Sequence, residues 1–189
     1  MAKSKNNVVT HGLSGKVGDM LVFRQRAGKT IVGRVPVKST VEPSSKQLLV
    51  QEKFHDGAVY AKSAIANPAT KAFYEAGAAD GQTAYNRALA DYCVSPEIKL
   101  VDVTGYAGAI GDLILVKATD NFMVKSVKVT IEKLDGTLIE KGDAVQDASN
   151  GIKWLYTATT VNAVVTGIKV IATASDVPGN TTQKEEVIP

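Results

Sequence analysis

Cysteine is nearly absent from this sequence. Cys93 stands alone among 189 residues, which excludes an intrachain disulfide and a metal site built from several cysteines. No run approaches the roughly 20 apolar residues that a membrane-spanning helix requires, so no membrane partner is expected. The stretch Met1 to Asn7 is polar and basic and lacks the apolar core of a secretory signal. Acids are almost missing from residues 1–38, where Asp19 faces eight Lys and Arg. Catalytic constellations are missing too: no nucleophile, base and orienting group fall into a recognisable spacing, and neither an enzyme activity nor a cofactor is expected.

What is present fits a folded protein. Apolar residues make up 44% and charged residues 22%, which is ordinary for globular chains, and the length allows one large domain or two small ones. The net charge of +3 is unevenly spread: residues 1–38 carry +7, residues 39–95 carry −1 and residues 96–189 carry −3. A basic arm on a mildly acidic body points to an acidic partner surface or a nucleic acid.

Three regions follow: a basic arm and hairpin (1–38), a small helical region (39–95) and an all-β region (96–189). Residues 1–16 read as an extended arm. Between Val17 and Val37, two β-favouring stretches flank Ala27-Gly28-Lys29, predicting a β-hairpin that leans on the helices or on a neighbouring subunit. Pro43-Ser44-Ser45 with Gln47 predicts a capping box. Val50, Phe54, Ala58, Ala61 and Ile65 then fall on one helical face. Pro68 starts a second helix near Ala69–Ala76. A third, near Gln82–Tyr92, carries Tyr85, Leu89 and Tyr92 on one stripe. All three are expected to be short, with a thin alanine-rich core.

From Pro96 the period changes to two. Val127, Val129 and Ile131 alternate with Lys128, Thr130 and Glu132, and Ile168, Val170, Ala172 and Ala174 repeat the pattern. Strands are predicted near 98–103, 113–118, 126–133, 137–140, 153–159, 167–174 and 181–187, with Asp135-Gly136 at a hairpin tip. Ala118-Thr119-Asp120, Val127 to Ile131, Asp135-Gly136-Thr137, Trp154 to Ala158, and Gly167 through Asp176-Val177-Pro178-Gly179-Asn180 resemble bacterial immunoglobulin-like domains. These occur as modules of surface proteins and on phage particles. The resemblance covers about half the chain and implies a two-sheet sandwich, with Trp154 over its core. Ser14 to Gly18, the basic hairpin and the helix starting at Pro43-Ser44-Ser45 are similar to small proteins of Bacteroidetes and their phages. The expected class is thus α+β in two parts: hairpin plus short helices, then an immunoglobulin-like β-sandwich.

Several motifs have plain readings. Gly28-Lys29-Thr30 lacks the earlier glycine of a phosphate loop, since position 23 is Phe. Glu52 and His55 have Glu-x-x-His spacing, but the only other histidine is His11, so no metal site is expected. Ser14 has its following glycine one place too early for a nucleophile elbow. Asp120, Asn121, Asp176 and Asn180 have oxygens suited to calcium, and equally suit turns that need backbone hydrogen bonds. The sharper candidate is the basic hairpin. Arg24, Arg26, Lys29 and Arg34 are expected to dock on carboxylates of a protein partner, because only Phe23 is near enough to offer base stacking.

The expectation is a non-enzymatic structural component of a phage virion, made in the host cytoplasm. An auxiliary or decorating capsid protein leads, its N-terminal half docked and its immunoglobulin-like domain displayed. The expected partners are other virion proteins, in the capsid lattice or tail, with a homo-oligomer left open. A tail, collar or fibre component, a bacterial surface or adhesion module, and a small nucleic-acid-binding protein are the alternatives.

Overall fold

A computed structural model describes residues 8–26, 28–37 and 40–189, and the backbone of residues 2–4. Ala27 of the expected turn and the expected boundary at Lys38 and Ser39 lie outside the described residues. The fold is mixed α+β: among the described residues there are three helices and two antiparallel sheets, of four and seven strands.

The hairpin is present as β3 (Leu21–Arg26) and β4 (Lys29–Arg34), in register from Leu21 opposite Arg34 to Arg26 opposite Lys29. It is not solitary. Short strands β1 (Ala2–Ser4) and β2 (Gly15–Val17) flank it in the order β1-β4-β3-β2, so the reading of residues 1–16 as a plain arm is corrected. Three-residue strands are too short to show a period, which is why the sequence hid them. Of the two supports expected for the hairpin, the helices or a neighbouring subunit, the first is corrected: among the described residues neither apolar cluster contains one from 8–37.

The helices are α1 (Ser45–Ala66), α2 (Pro68–Ala76) and α3 (Ala84–Cys93). The capping box forms as its spacing predicts: Ser44 Oγ accepts from the Gln47 N–H, and Gln47 Oε1 accepts from the Ser44 N–H at 2.8 Å. Asn67 ends α1 and caps α2, its Oδ1 accepting from Ala69 and Thr70. At 22 residues α1 is not short, contrary to expectation; it runs about 33 Å at 1.5 Å per residue. Gly57 lets α3 approach, since a Cβ there would lie 3.0 Å from Leu89 Cδ1. The buried face of α3 carries Ala84, Ala88 and Asp91. The large residues Tyr85, Leu89 and Tyr92 flank that face, half-buried, because small side chains are what close packing admits.

The seven-stranded sheet contains β5 (Glu97–Asp102), β6 (Leu113–Thr119), β7 (Val124–Lys133), β8 (Leu138–Gln146), β9 (Lys153–Thr157), β10 (Ile168–Asp176) and β11 (Thr181–Val187). Its order is β11-β10-β7-β8-β9-β6-β5, and its ends come back together, with Lys184 of β11 donating to the Lys99 carbonyl of β5. The nearly closed sheet encloses one core. Val127, Val129, Ile131, Val170, Ala172 and Ala174 are fully buried there, as the alternation requires, and Trp154 is buried beside them. β8 extends to Gln146, well past its expected end. Leu138–Ala144 pair with β7, then Val145 and Gln146 pair with β9. Only Glu140 and Ala144 of β8 are buried, a charged and a small residue, and so weak an apolar signal hides the strand's true length.

Candidate docking face

The basic candidates sit on the four-stranded sheet, and the strand period sorts them. Arg24 and Arg26 share one face of β3; Lys29 lies opposite Arg26 and joins them, with Val22 and Ile31. Lys16, opposite Val22 in β2, is on this face as well and pairs with Asp19 at 2.6 Å. Leu21, Phe23, Gln25, Thr30 and Val32 occupy the other face. There Gln25 Nε2 donates to the Leu13 carbonyl at 2.7 Å and to Thr30 Oγ1 at 2.8 Å, tying the preceding loop to the sheet. Phe23 is 9% exposed, turned away from Arg24, Arg26 and Lys29. Arg34 pairs with Leu21, one step out of phase with Arg24. It still borders a concavity of about 260 Å³ lined by Val22, Arg24, Ile31, Gly33, Arg34 and Pro36. Arg24, Arg26, Lys29 and Arg34 are all exposed. Among the described residues none of them has an acidic partner, the ion pairs there involving only lysines.

The sequence missed a second uncovered surface, the first half of α1. Residues 45–56 are exposed all round. Val50 and Phe54 continue the stripe that Gly57, Ala61 and Ala64 bury against α2 and α3, yet they are 69% and 57% exposed. Leu48 and Leu49 are exposed beside them. The periodicity did mark Val50 and Phe54 as apolar-face residues. Nothing in it said that the bundle stops short of them. Glu52 and His55 lie on the same uncovered turns.

The turn residues with calcium-like chemistry are used locally. Asp120 Oδ2 accepts from the Phe122 and Met123 N–H groups, and Asp176 Oδ1 from those of Gly179 and Asn180. The same turns fasten the helices to the closed sheet. Arg87 Nη2 donates to the Asn121 carbonyl at 2.6 Å, Asn121 Nδ2 to Ala90 O at 2.9 Å, and Asn180 Nδ2 to Tyr92 O at 3.1 Å. The Arg87 guanidinium lies 4.8 Å from the centre of the Phe122 ring, which also stacks on Tyr74. Beneath this seam Asp91 is fully buried; its Oδ2 accepts from Tyr74 OH at 2.7 Å, and Tyr74 and Tyr60 share a hydrogen bond at 2.8 Å. Burial pushes the Asp91 carboxyl up to about 6, aided by the charges of Asp120 and Asp176 and opposed by the Tyr74 hydrogen bond and by Arg87.

No family model matches this chain, and no curated protein does. Among solved structures it is similar to the crystal structure of an engineered protein, 16% identical over 59% of this chain, with a TM-score of 0.34. The chain spans 29% of that protein's length. Among the described residues no helix is long and apolar enough to cross a membrane.

Proposed function

We propose that this chain is a non-enzymatic structural protein of an assembled particle, a phage virion, acting as an auxiliary or decorating capsid protein. The N-terminal sheet and the first half of α1 dock on the particle. The C-terminal region is an immunoglobulin-like β-sandwich held away from it. Its strand order supports that fold: β5, β6, β9 and the end of β8 form one layer, and β11, β10, β7 and the start of β8 the other.

The observation that carries the proposal is the pair of uncovered surfaces at one end of the sequence. Val50 and Phe54 stand in water on a helix whose other half is packed, and among the described residues Arg24, Arg26, Lys29 and Arg34 have no acidic partner. A face of that kind suits burial against another molecule. Mass spectrometry of purified particles is the test. Recovery of this chain at many copies per particle is expected; its absence from particles, with the chain found free in the host cell, would refute the proposal.

A further inference from the structure

The concavity on the basic sheet carries an inference about what it binds, one that rests on the docking role proposed above. At about 260 Å³ it falls below the volumes of small-molecule pockets, which run from roughly 300 to 1,000 Å³. That space suits one or two side chains of a bound strand. Val22, Ile31 and Pro36 give it an apolar lining, and Gly33 brings no side chain into it. Arg24 and Arg34 border it, and neither is neutralised by an acid among the described residues. A guanidinium presents parallel N–H groups at the spacing of carboxylate oxygens, and it binds them best where apolar walls exclude water. Phosphates of a nucleic acid would meet the same cations. The aromatic surface that unpaired bases need is absent from the lining, however, and Phe23 is buried on the face opposite Arg24. We infer that this concavity receives a segment of a partner protein in which a carboxylate side chain stands beside an apolar one. Arg24 and Arg34 grip the acid, and Val22, Ile31 and Pro36 take its neighbour.

Fluorescence anisotropy of the full chain at physiological salt tests this with three labelled probes. They are a short peptide alternating leucine and glutamate, one alternating leucine and lysine, and a single-stranded oligonucleotide. The glutamate peptide is expected to bind saturably with a Kd below about 1 mM, and the lysine peptide not to bind. Arg24→Ala and Arg34→Ala should each weaken binding by roughly tenfold or more. Arg24→Lys and Arg34→Lys should weaken it less, because the charge stays and only the fork is lost. If an alanine variant disturbs the amide spectrum, the lysine variants carry the comparison. Lys141→Ala, an exposed cation of β8 far from the lining in sequence, should bind like the parent. No saturable binding, equal binding of the two peptides, an unchanged Kd in the Arg24 and Arg34 variants, or tighter binding of the oligonucleotide overturns the inference. Should the peptide fail while the chain still copurifies with particles, this inference falls and the docking role stands on α1 alone.

Discussion

In the closed sheet Val127, Val129 and Ile131 leave no surface to water, whereas in α1 Val50 and Phe54 leave 69% and 57% of theirs. All five are apolar residues at the period their element demands. The difference is what lies opposite them. The sheet curls round until its own strands cover the inner face, so eighteen buried residues form one cluster. The helical cluster has five buried residues, four of them alanines. Burial stabilises by roughly 25 cal/mol per Å² of apolar surface, so the closed sheet has most of the chain's folding free energy. The N-terminal sheet, with Phe23 and Thr30 its only buried side chains among those described, has little of its own. One region covers its own apolar face, and the other leaves apolar residues in water.

Four perturbations probe that contrast, taken from the largest expected effect down. Trp154→Ala in the fragment 96–189 should cost about 3–5 kcal/mol in chemical denaturation, because a large cavity opens in a core with no slack. Trp154→Phe should cost much less, since the indole N–H is buried without a hydrogen-bond partner. A loss below about 1 kcal/mol for the alanine variant would mean that the sheet does not depend on its core.

Phe122→Ala in the full chain should cost about 2–3 kcal/mol, felt by the helices. Phe122, in the turn between β6 and β7, packs against the helical cluster, touching Phe73, Tyr74 and Arg87. Amide exchange should quicken in α2 and α3 while β7 and β10 stay protected. Equal quickening in both regions would show that the seam does not divide them.

Asp91 gives the contrast a pH dependence. Its folded carboxyl titrates near 6, above the ordinary value of 3.8, so the folded chain holds a proton that the unfolded chain releases. This group's contribution to stability is therefore greatest below about pH 4, is lost as pH rises through about 6, and changes little above 7. The change should be about 1–3 kcal/mol. Asp91→Asn should flatten that part of the profile, the Tyr74 hydroxyl still having an oxygen to donate to. A parent profile already flat between pH 4 and 7 would contradict the raised carboxyl.

Val50→Ser with Phe54→Ser should change the stability of the free chain by less than about 0.5 kcal/mol, as both side chains are already in water. Incorporation into particles should nonetheless fall sharply. A large loss of stability in the free chain would mean that α1 is covered by its own protein.

The sequence was most legible where the chain covers itself. Six of the seven C-terminal strands lie within two residues of where they were expected, and the seventh, β8, runs six residues further than expected. The capping box and the break at Pro68 were legible because each is settled by residues within one turn. Three features were not. The short flanking strands have no period to show. The uncovered half of α1 has the same pattern as the covered half, and pattern alone cannot say whether a neighbour is present. The Tyr60–Tyr74–Asp91 chain joins residues from three helices, so no local spacing announces it. Of the four docking candidates, the period correctly grouped Arg24 with Arg26; Arg34 needed the register, which sets it opposite Leu21.

Hydrogen exchange of the full chain, free and again within purified particles, bears most directly on the division between a self-sufficient sheet and a docking face. In the free chain, β6, β7 and β10 are expected to exchange slowly, while residues 45–56 and the β3–β4 hairpin exchange fast through local opening. Within particles the sheet should be unchanged and both fast segments should become protected. Equal protection of all segments in the free chain, or no gain at residues 45–56 and 21–34 on the particle, would contradict it.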